Sequence, residues 1–233
     1  MFPDYPRPEH VAGAYSGIEI SQKHKFISVR NFVKSSVKRL VKAIFYAFFS
    51  IQSDLTLDPN TTYIRLCLNK DNRKVKHMKK RQLYPDHPDR FEHCEQVLSV
   101  ESLTERCYWE TQWSGWVNIA VTYKGISRKR GSNCQFGYND KSWSLWCTDN
   151  GFAVWHNNVR TDLPAPSLRS DRVGVYVDVS AGSLSFYSIS DTHTLTLLHT
   201  FNTTFTEPLY AGFRVYYASS VSLCQIKSPT SHT

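Results

Sequence analysis

Apolar and polar residues alternate with a period of two along much of this chain, most clearly between residues 172 and 189. Valine occupies every second position from Val173 to Val179, and the residues between them are glycine, tyrosine and aspartate. Ser180-Ala181-Gly182 interrupts the pattern, after which Leu184 and Phe186 alternate with serine and tyrosine. Alternation on both sides of a glycine-containing turn predicts a β-hairpin in which each strand buries one face.

Similar short runs continue from Leu55 onward, separated by turn residues at intervals of about 8 to 12 positions, which is typical of an antiparallel β-sandwich. Proline, glycine and serine predict loops at Tyr84–Arg90, Lys124–Asn133 and Asp162–Asp171. The predicted strands are Ile64–Leu68, Lys74–His77, Gln96–Leu98, Cys107–Trp113, Val117–Thr122, Ser142–Cys147, Phe152–His156, Arg172–Val177, Ser183–Ser188, Leu197–Phe205, Pro208–Val215 and Ser220–Gln225.

The alternation also assigns a direction to the tryptophans of one predicted strand. In Ser142–Cys147, Trp143 and Leu145 fall on the face that is expected to enter the core. Trp146 falls on the opposite face, beside serines, and has no predicted role in the core. An aromatic side chain in that position is a candidate for contact with another molecule.

Residues 1–53 differ from the rest of the chain. The first ten residues contain three prolines, and apolar residues then recur every three or four positions from Val33 to Ile44, among lysines and an arginine. This pattern predicts a basic amphipathic helix at about residues 33–50. We expect it to pack on the domain or to be foreign to the fold. Binding to a membrane surface or to a partner groove is the less favoured alternative.

The chain of 233 residues, 41% hydrophobic and 14% aromatic, is long enough to bury one substantial core. Its first residues lack the basic region and apolar run of a secretory signal, so we expect a cytoplasmic protein.

Six cysteines, at positions 67, 94, 107, 134, 147 and 224, show no Cys-x-x-Cys spacing. We expect free thiols buried in a reducing compartment, with a disulfide framework as the less favoured alternative.

The net charge of +8 is unevenly distributed. Residues 1–53 contain eight Lys or Arg against three acids, and residues 65–90 contain nine against three. The cluster Arg73–Arg81 is dense enough to attract phosphate or an acidic partner. Because it lacks the aromatic pattern of RNA-binding modules, we interpret it as a solvated loop and expect no nucleic-acid partner.

No arrangement typical of catalysis occurs in the sequence. There is no glycine-rich phosphate loop, no Gly-x-Ser-x-Gly motif and no set of histidines at metal-ligand spacing. Asp178, beside the glycine-containing turn, is expected to form structural hydrogen bonds. We therefore expect no enzyme activity, no metal and no cofactor. The alternative is a hydrolase of unknown type, with a carboxyl or histidine of perturbed pKa in a deep pocket.

Several short motifs, taken in order, resemble the PRY–SPRY domain family from about residue 53 to residue 225. They are Leu57-Asp58-Pro59-Asn60-Thr61, Arg90-Phe91, Tyr108-Trp109-Glu110, Gly137-Tyr138 with Trp143-Ser144-Leu145, and the hairpin from Val177 to Tyr187. Trp155–Asn158, His199–Tyr210 and Val221–Cys224 resemble in particular the versions in fish tripartite-motif ligases, fish NACHT–leucine-rich-repeat receptors and the stonustoxin group.

Some positions depart from the family pattern. The family signatures WEV and LDYE read Trp109-Glu110-Thr111 and Val177-Asp178-Val179-Ser180 here, and Cys94 stands where relatives commonly have an aromatic residue. We expect the fold to survive these changes and a fine loop contact near Ser180 to differ. Residues 1–53 match no module of the family, so we expect a recognition module cut from a larger architecture, or a truncated gene product.

The resemblance implies an all-β fold, a bent two-sheet antiparallel β-sandwich of the SPRY-like, concanavalin-like jelly-roll type. The domain would span residues 54–227, with PRY at about 57–100, SPRY at about 101–225 and a tail at 228–233. By similarity, a protein partner would bind loops at one end of the sandwich. These loops are Lys79–Arg90, Lys124–Asn133, Trp146–Gly151 and Arg214–Ser219.

Within these loops, the predicted partner-binding residues are Trp146, Tyr216, Tyr217, Tyr84 and His87. Trp146 is the strongest candidate, because strand alternation places its side chain on the face away from the core. Ordinary loop packing is an equally favoured interpretation for Tyr216 and Tyr217. For His87, a solvated loop histidine is favoured over a binding residue.

The function implied by the resemblance is recognition of a protein target, in an innate-immune or ubiquitin-ligase context. The alternative is a fragment of a secreted, stonustoxin-like pore-forming subunit.

Overall fold

The computed structural model describes residues 53–129, 131–164 and 170–225. The helix predicted at residues 33–50 and the tail at 228–233 lie outside the described residues. The described part contains thirteen strands and a short 3₁₀ turn at Ser132–Cys134. The strands are β1 (Leu66–Leu68), β2 (Lys74–His77), β3 (Gln96–Leu103), β4 (Arg106–Ser114), β5 (Val117–Tyr123), β6 (Ser142–Thr148), β7 (Gly151–His156), β8 (Val159–Asp162), β9 (Arg172–Asp178), β10 (Ser183–Ile189), β11 (Leu195–Asn202), β12 (Leu209–Val215) and β13 (Ser220–Leu223).

These strands form two antiparallel sheets, which confirms the predicted all-β fold. One sheet has the order β1-β2-β13-β4-β9-β10-β11, and the other has the order β3-β12-β5-β6-β7-β8. The inner faces carry the alternating apolar residues, such as Val173, Val175 and Val177 of β9, which join one large buried cluster with Ile119 and Leu145 of the other sheet. The period-two pattern therefore identifies the core correctly.

Twelve of the thirteen strands coincide with predicted ones, with ends that differ by a few residues. The prediction missed β8, Val159–Asp162, because all four of its residues are exposed and no buried face imposes alternation. The strand predicted at Leu197–Phe205 runs instead from Leu195 to Asn202. Phe205 follows the strand and packs on the core from the connecting segment. Within the described residues there is no helix long and apolar enough to span a bilayer.

A second apolar cluster covers the outer face of the six-stranded sheet. It contains Leu98 of β3 and Ala120 of β5, whose neighbours Val97 and Ile119 point into the main core. The other members are Phe91, Cys94, Ile126, Cys134 and Phe136. The segment after β5 thus folds back across the sheet, which explains why the outward-facing positions of β5 are buried.

Cys94 and Cys134 form a disulfide within this second cluster, so the expectation of six free thiols is wrong for these two residues. Local spacing could not predict the pair, because the two cysteines lie 40 residues apart and meet only when the segment folds over the sheet. Cys67, Cys107, Cys147 and Cys224 are free, and burial raises the pKa of Cys147 well above its usual value.

The hairpin of β9 and β10 is closed by hydrogen bonds to Asp178. One carboxylate oxygen accepts hydrogen bonds from the Ala181 N–H and the Ser180 hydroxyl, and the other accepts one from Arg106 Nε. Gly182 has a φ of +66°, and a Cβ at this position would lie 1.9 Å from the Thr203 carbonyl oxygen. Asp178 therefore has the structural role that the sequence indicated.

Candidate functional site

Trp146 projects from β6 away from the main core and is partly buried, as the alternation predicts. Its indole meets the Trp116 ring edge to face, with centroids 6.3 Å apart, and the Arg160 guanidinium lies 4.9 Å from its centroid. Its Nε1 is buried without an acceptor among the described residues. Trp146 lines a cavity of about 320 Å³ together with Trp116, Phe152, Arg160, Asp162 and Leu163 among others.

Trp116 lies at the turn between β4 and β5 and is 51% exposed. Gly115 makes this turn possible because its φ is +75° and a Cβ there would lie 2.4 Å from Ser219 Oγ. The Trp116 N–H donates a hydrogen bond to Ser219 Oγ, and the Trp116 carbonyl accepts one from the Tyr216 N–H. The turn is thereby fixed to the loop between β12 and β13.

Tyr216 and Tyr217 belong to that loop and line a second cavity of about 490 Å³, which also includes Trp116. The Tyr216 ring lies 4.6 Å from the Arg214 guanidinium, and burial raises the pKa of its hydroxyl. Arg214 is itself held by Gln135 and Glu95. The Tyr217 side chain is 62% exposed. The Tyr216 ring therefore packs against Arg214, whereas the Tyr217 ring is largely open to solvent.

The two cavities share Trp116 in their linings and are therefore adjacent. We name their aromatic residues Trp116, Trp146, Tyr216 and Tyr217 the aromatic surface. Three of these four residues were predicted from the sequence. Trp116 was missed, although a tryptophan directly after the Ser114-Gly115 turn has no strand face to enter, and this is a usable signal.

Tyr84 and His87, the remaining predicted residues, line neither cavity. The Tyr84 hydroxyl donates to the Leu66 carbonyl and accepts from the Leu68 N–H, and the Arg90 guanidinium lies 5.0 Å from its ring. His87 Nδ1 accepts a hydrogen bond from the Asp89 N–H. Both side chains thus have local structural contacts in the loop after β2.

The predicted loop Lys124–Asn133 begins at the end of β5 opposite to Trp116. Ile126 is buried in the second apolar cluster, and the Arg128 guanidinium lies over the Phe91 ring. Much of this loop therefore serves as a cover for the sheet.

The two arginines at the aromatic surface are paired with carboxylates. Arg160 binds Asp162 through two nitrogens at 2.8 and 2.5 Å, and Arg214 binds Glu95 at 3.3 Å. His77 packs edge to face on Tyr217, and burial lowers its pKa, which favours the neutral imidazole. Lys79 lies 6.0 Å from the centroid of the same tyrosine.

No group of metal-binding side chains occurs within the part of the chain that the structure describes. The aromatic surface offers open aromatic faces, two arginines paired with carboxylates and a backbone fixed by hydrogen bonds. Rigid aromatic side chains bury large areas on binding at a small cost in side-chain entropy. Such an arrangement is suited to holding a side chain of another macromolecule.

Comparison with known proteins places these features in a family. The family model of the SPRY-associated domain, PRY, matches residues 55–103, and the SPRY domain model matches residues 106–226. Stonustoxin subunit beta of Synanceia horrida is 39% identical over 176 residues, which are 75% of this chain and 25% of the toxin subunit. Tripartite motif-containing protein 16 of Mus musculus is 40% identical over 171 residues, which are 71% of this chain and 30% of that protein.

The crystal structure of the TRIM65 PSpry domain superimposes with a TM-score of 0.70 at 27% identity, covering 78% of this chain and 96% of that one. The chain spans only about a quarter to a third of the length of the curated relatives above. The matches lie in the region where the sequence motifs indicated the resemblance. On the extent of the SPRY match and the shared fold, this chain belongs to the SPRY domain family, in its PRY–SPRY form.

Proposed function

We propose that this protein captures a protein partner through the aromatic surface and has no enzyme activity of its own. The observation that carries the proposal is the adjacency of the two cavities at Trp116, because it brings exposed aromatic side chains from separate parts of the chain to one surface. SPRY domains are generally binding modules, so the family membership supports the same conclusion. The proposal rests on Trp146, Tyr216 and Tyr217 and not on Tyr84 or His87.

The cellular context that we propose is cytoplasmic target recognition in innate immunity or for a ubiquitin ligase. The similarity to tripartite motif-containing protein 16 supports this context. The four free cysteines support it too, since unpaired thiols are typical of a reducing compartment. In this role the domain selects the target, and a module attached to it acts on that target.

A second candidate is part of a secreted subunit that resembles a stonustoxin. The Cys94–Cys134 disulfide favours it, since disulfides persist in oxidising compartments, and the similarity to stonustoxin subunit beta also supports it.

Alkylation of free thiols in protein isolated from its source, followed by mass spectrometry, distinguishes the two candidate functions. Two protected cysteines support secretion, whereas six alkylated ones support a cytoplasmic role.

Replacement of Trp146 by alanine tests the binding function. We expect Trp146→Ala to remain folded and to lose partner affinity by roughly thirtyfold, the effect of removing a binding hot spot of about 2 kcal/mol. Quantitative capture from an extract of the expressing cells, compared with the wild type, gives the readout.

Trp155→Ala is the matched control. Trp155 is also partly buried, and the Arg160 guanidinium lies 5.8 Å from its ring, but it stacks on Tyr138 and lines neither cavity. We expect this variant to capture the partner as the wild type does. If folded Trp146→Ala retains the wild-type yield, or if both variants lose it equally, the aromatic surface is not the binding site.

A further inference from the structure

The basic segment after β1 lies against one side of the aromatic surface. Lys79 and His77 both contact the Tyr217 ring, and the His77 N–H donates a hydrogen bond to the Ser219 carbonyl, so the end of β2 is attached to the loop that carries Tyr217. The sequence alone placed these cations in a solvated loop, whereas the structure places them beside the candidate binding site.

The lysines of this segment are exposed and form no ion pair with the residues that the structure describes. Val75 is fully buried, and the alternation of β2 therefore turns Lys74 and Lys76 outward. Lys79, Lys80 and Arg81 follow the strand and are also exposed. Among residues 53–129, 131–164 and 170–225, none of these five cations forms an ion pair.

The other cations at the aromatic surface differ in this respect. Arg160 is neutralised by Asp162, and Arg214 by Glu95. Asp149 lines the second cavity from the turn between β6 and β7. Among the described residues, positive charge outside ion pairs is thus concentrated on the Tyr217 side.

We propose that the partner presents an acidic peptide segment, in which an apolar or aromatic anchor enters the aromatic surface and a run of Asp or Glu lies across Lys79, Lys80 and the outer face of β2. This proposal rests on the proposed binding function and adds the chemistry of the partner. Acids near Tyr217 come within one Debye length of Lys79, about 8 Å at physiological ionic strength, so their attraction is only weakly screened.

The asymmetry of the rim adds a directional feature. Acidic residues on the Tyr217 side of the anchor meet Lys79 and Lys80, which form no ion pair among the described residues. Since these exposed lysines lie on one side of the anchor, the acids should cluster on that side. A symmetric distribution of acids around the anchor is not expected.

A phage-displayed library of random short peptides, selected against the full chain, tests the proposal without knowledge of the natural partner. We expect selected peptides to contain an apolar or aromatic residue with Asp and Glu enriched on one side of it. Association of the best peptide should slow by roughly tenfold in Lys79→Glu/Lys80→Glu, because electrostatic steering is reversed.

The matched control is Lys124→Glu/Lys129→Glu, which changes the net charge equally. Both of these lysines are exposed and lie beyond the end of β5 opposite to Trp116. We expect this variant to bind the selected peptide as the wild type does. Raising the salt concentration should weaken wild-type binding, whereas binding to Lys79→Glu/Lys80→Glu should not weaken, because salt screens the repulsion that the two glutamates introduce.

The outcomes separate the two proposals. Peptides that bind the aromatic surface, are lost with Trp146→Ala and carry no acidic enrichment overturn the acidic-partner proposal alone. Selection of the same peptides by wild type and Trp146→Ala, or of none by the wild type, overturns the binding function as well. Tight binding of a single-stranded oligothymidine that Lys79→Glu/Lys80→Glu abolishes would assign the lysines to nucleic acid instead.

Discussion

The tryptophans of this domain differ in burial, which separates those that build the core from those that lie at the surface. Trp109, Trp113 and Trp143 are buried in the core between the sheets, whereas Trp116 is half exposed and Trp146 is partly buried. Strand alternation predicted the difference between Trp143 and Trp146. It gave no information on Trp116, because a residue in a turn belongs to neither face of a strand.

Asp178 is the acidic residue with the clearest structural role. The Ala181 N–H, the Ser180 hydroxyl and Arg106 hold its pKa below the ordinary value. Because the pKa is lower in the folded than in the unfolded state, the ionised carboxylate stabilises the fold at pH values above about 4. This stabilisation is lost as the pH falls through the folded-state pKa.

We expect Asp178→Asn to lower the free energy of unfolding by about 1.5 kcal/mol near pH 7, the typical contribution of a hydrogen bond to a charged group. The difference from the wild type should shrink as the pH falls below about 4 and through the lowered folded-state pKa, because Asp178 then becomes protonated. Urea unfolding across this pH range measures both effects. A loss that stays constant over the whole range would show that the charge is not the source of the stability.

The elements of the fold were predicted well wherever burial imposes a period. Gln96–Leu103 and Arg106–Ser114 extend beyond their predicted ends, because pairing with neighbouring strands continues past the apolar run. The prediction missed β8, because all four of its residues are exposed and show no apolar face. The sequence pattern thus predicts strands through their buried faces and misses an edge strand that has none.

The cover over the outer face of the six-stranded sheet could not be predicted from local pattern. Its residues come from separated segments, and Phe136 fits there only because Gly212 leaves room, since a Cβ on Gly212 would lie 2.5 Å from the Phe136 ring. Its disulfide joins positions 40 residues apart. Contacts of this range depend on the folded chain, not on neighbouring residues.

We expect Cys94→Ser/Cys134→Ser to lower the free energy of unfolding by roughly 3 to 4 kcal/mol, the loop-entropy contribution of a crosslink over this separation. The wild type should lose a similar amount in reducing agent, whereas the variant should be insensitive to it. Cys67→Ser, at a free and partly buried cysteine, is the control. Equal stability of wild type and double variant without reductant would show that the disulfide does not support the fold.

At the scale of the whole molecule, the SPRY sandwich positions loops that the chain sequence separates widely. Trp116 and Tyr217 lie on two different connections and Trp146 lies near the end of β6, yet they share one surface because β12 pairs with β5, and β5 with β6. The family resemblance named two of these three loops. It did not predict the Trp116 turn, whose place at the surface depends on hydrogen bonds to the neighbouring loop.

Site-specific photo-crosslinking measures most directly whether the aromatic surface binds a protein partner. Asn150, an exposed residue that lines the first cavity, would be replaced by p-benzoylphenylalanine, and Leu197, 55% exposed on β11, would be replaced in the same way as a control. We predict a discrete covalent adduct from position 150 that disappears when Trp146→Ala is added, and none from position 197. No adduct from position 150, the same adducts from both positions, or an adduct that survives Trp146→Ala would contradict the account.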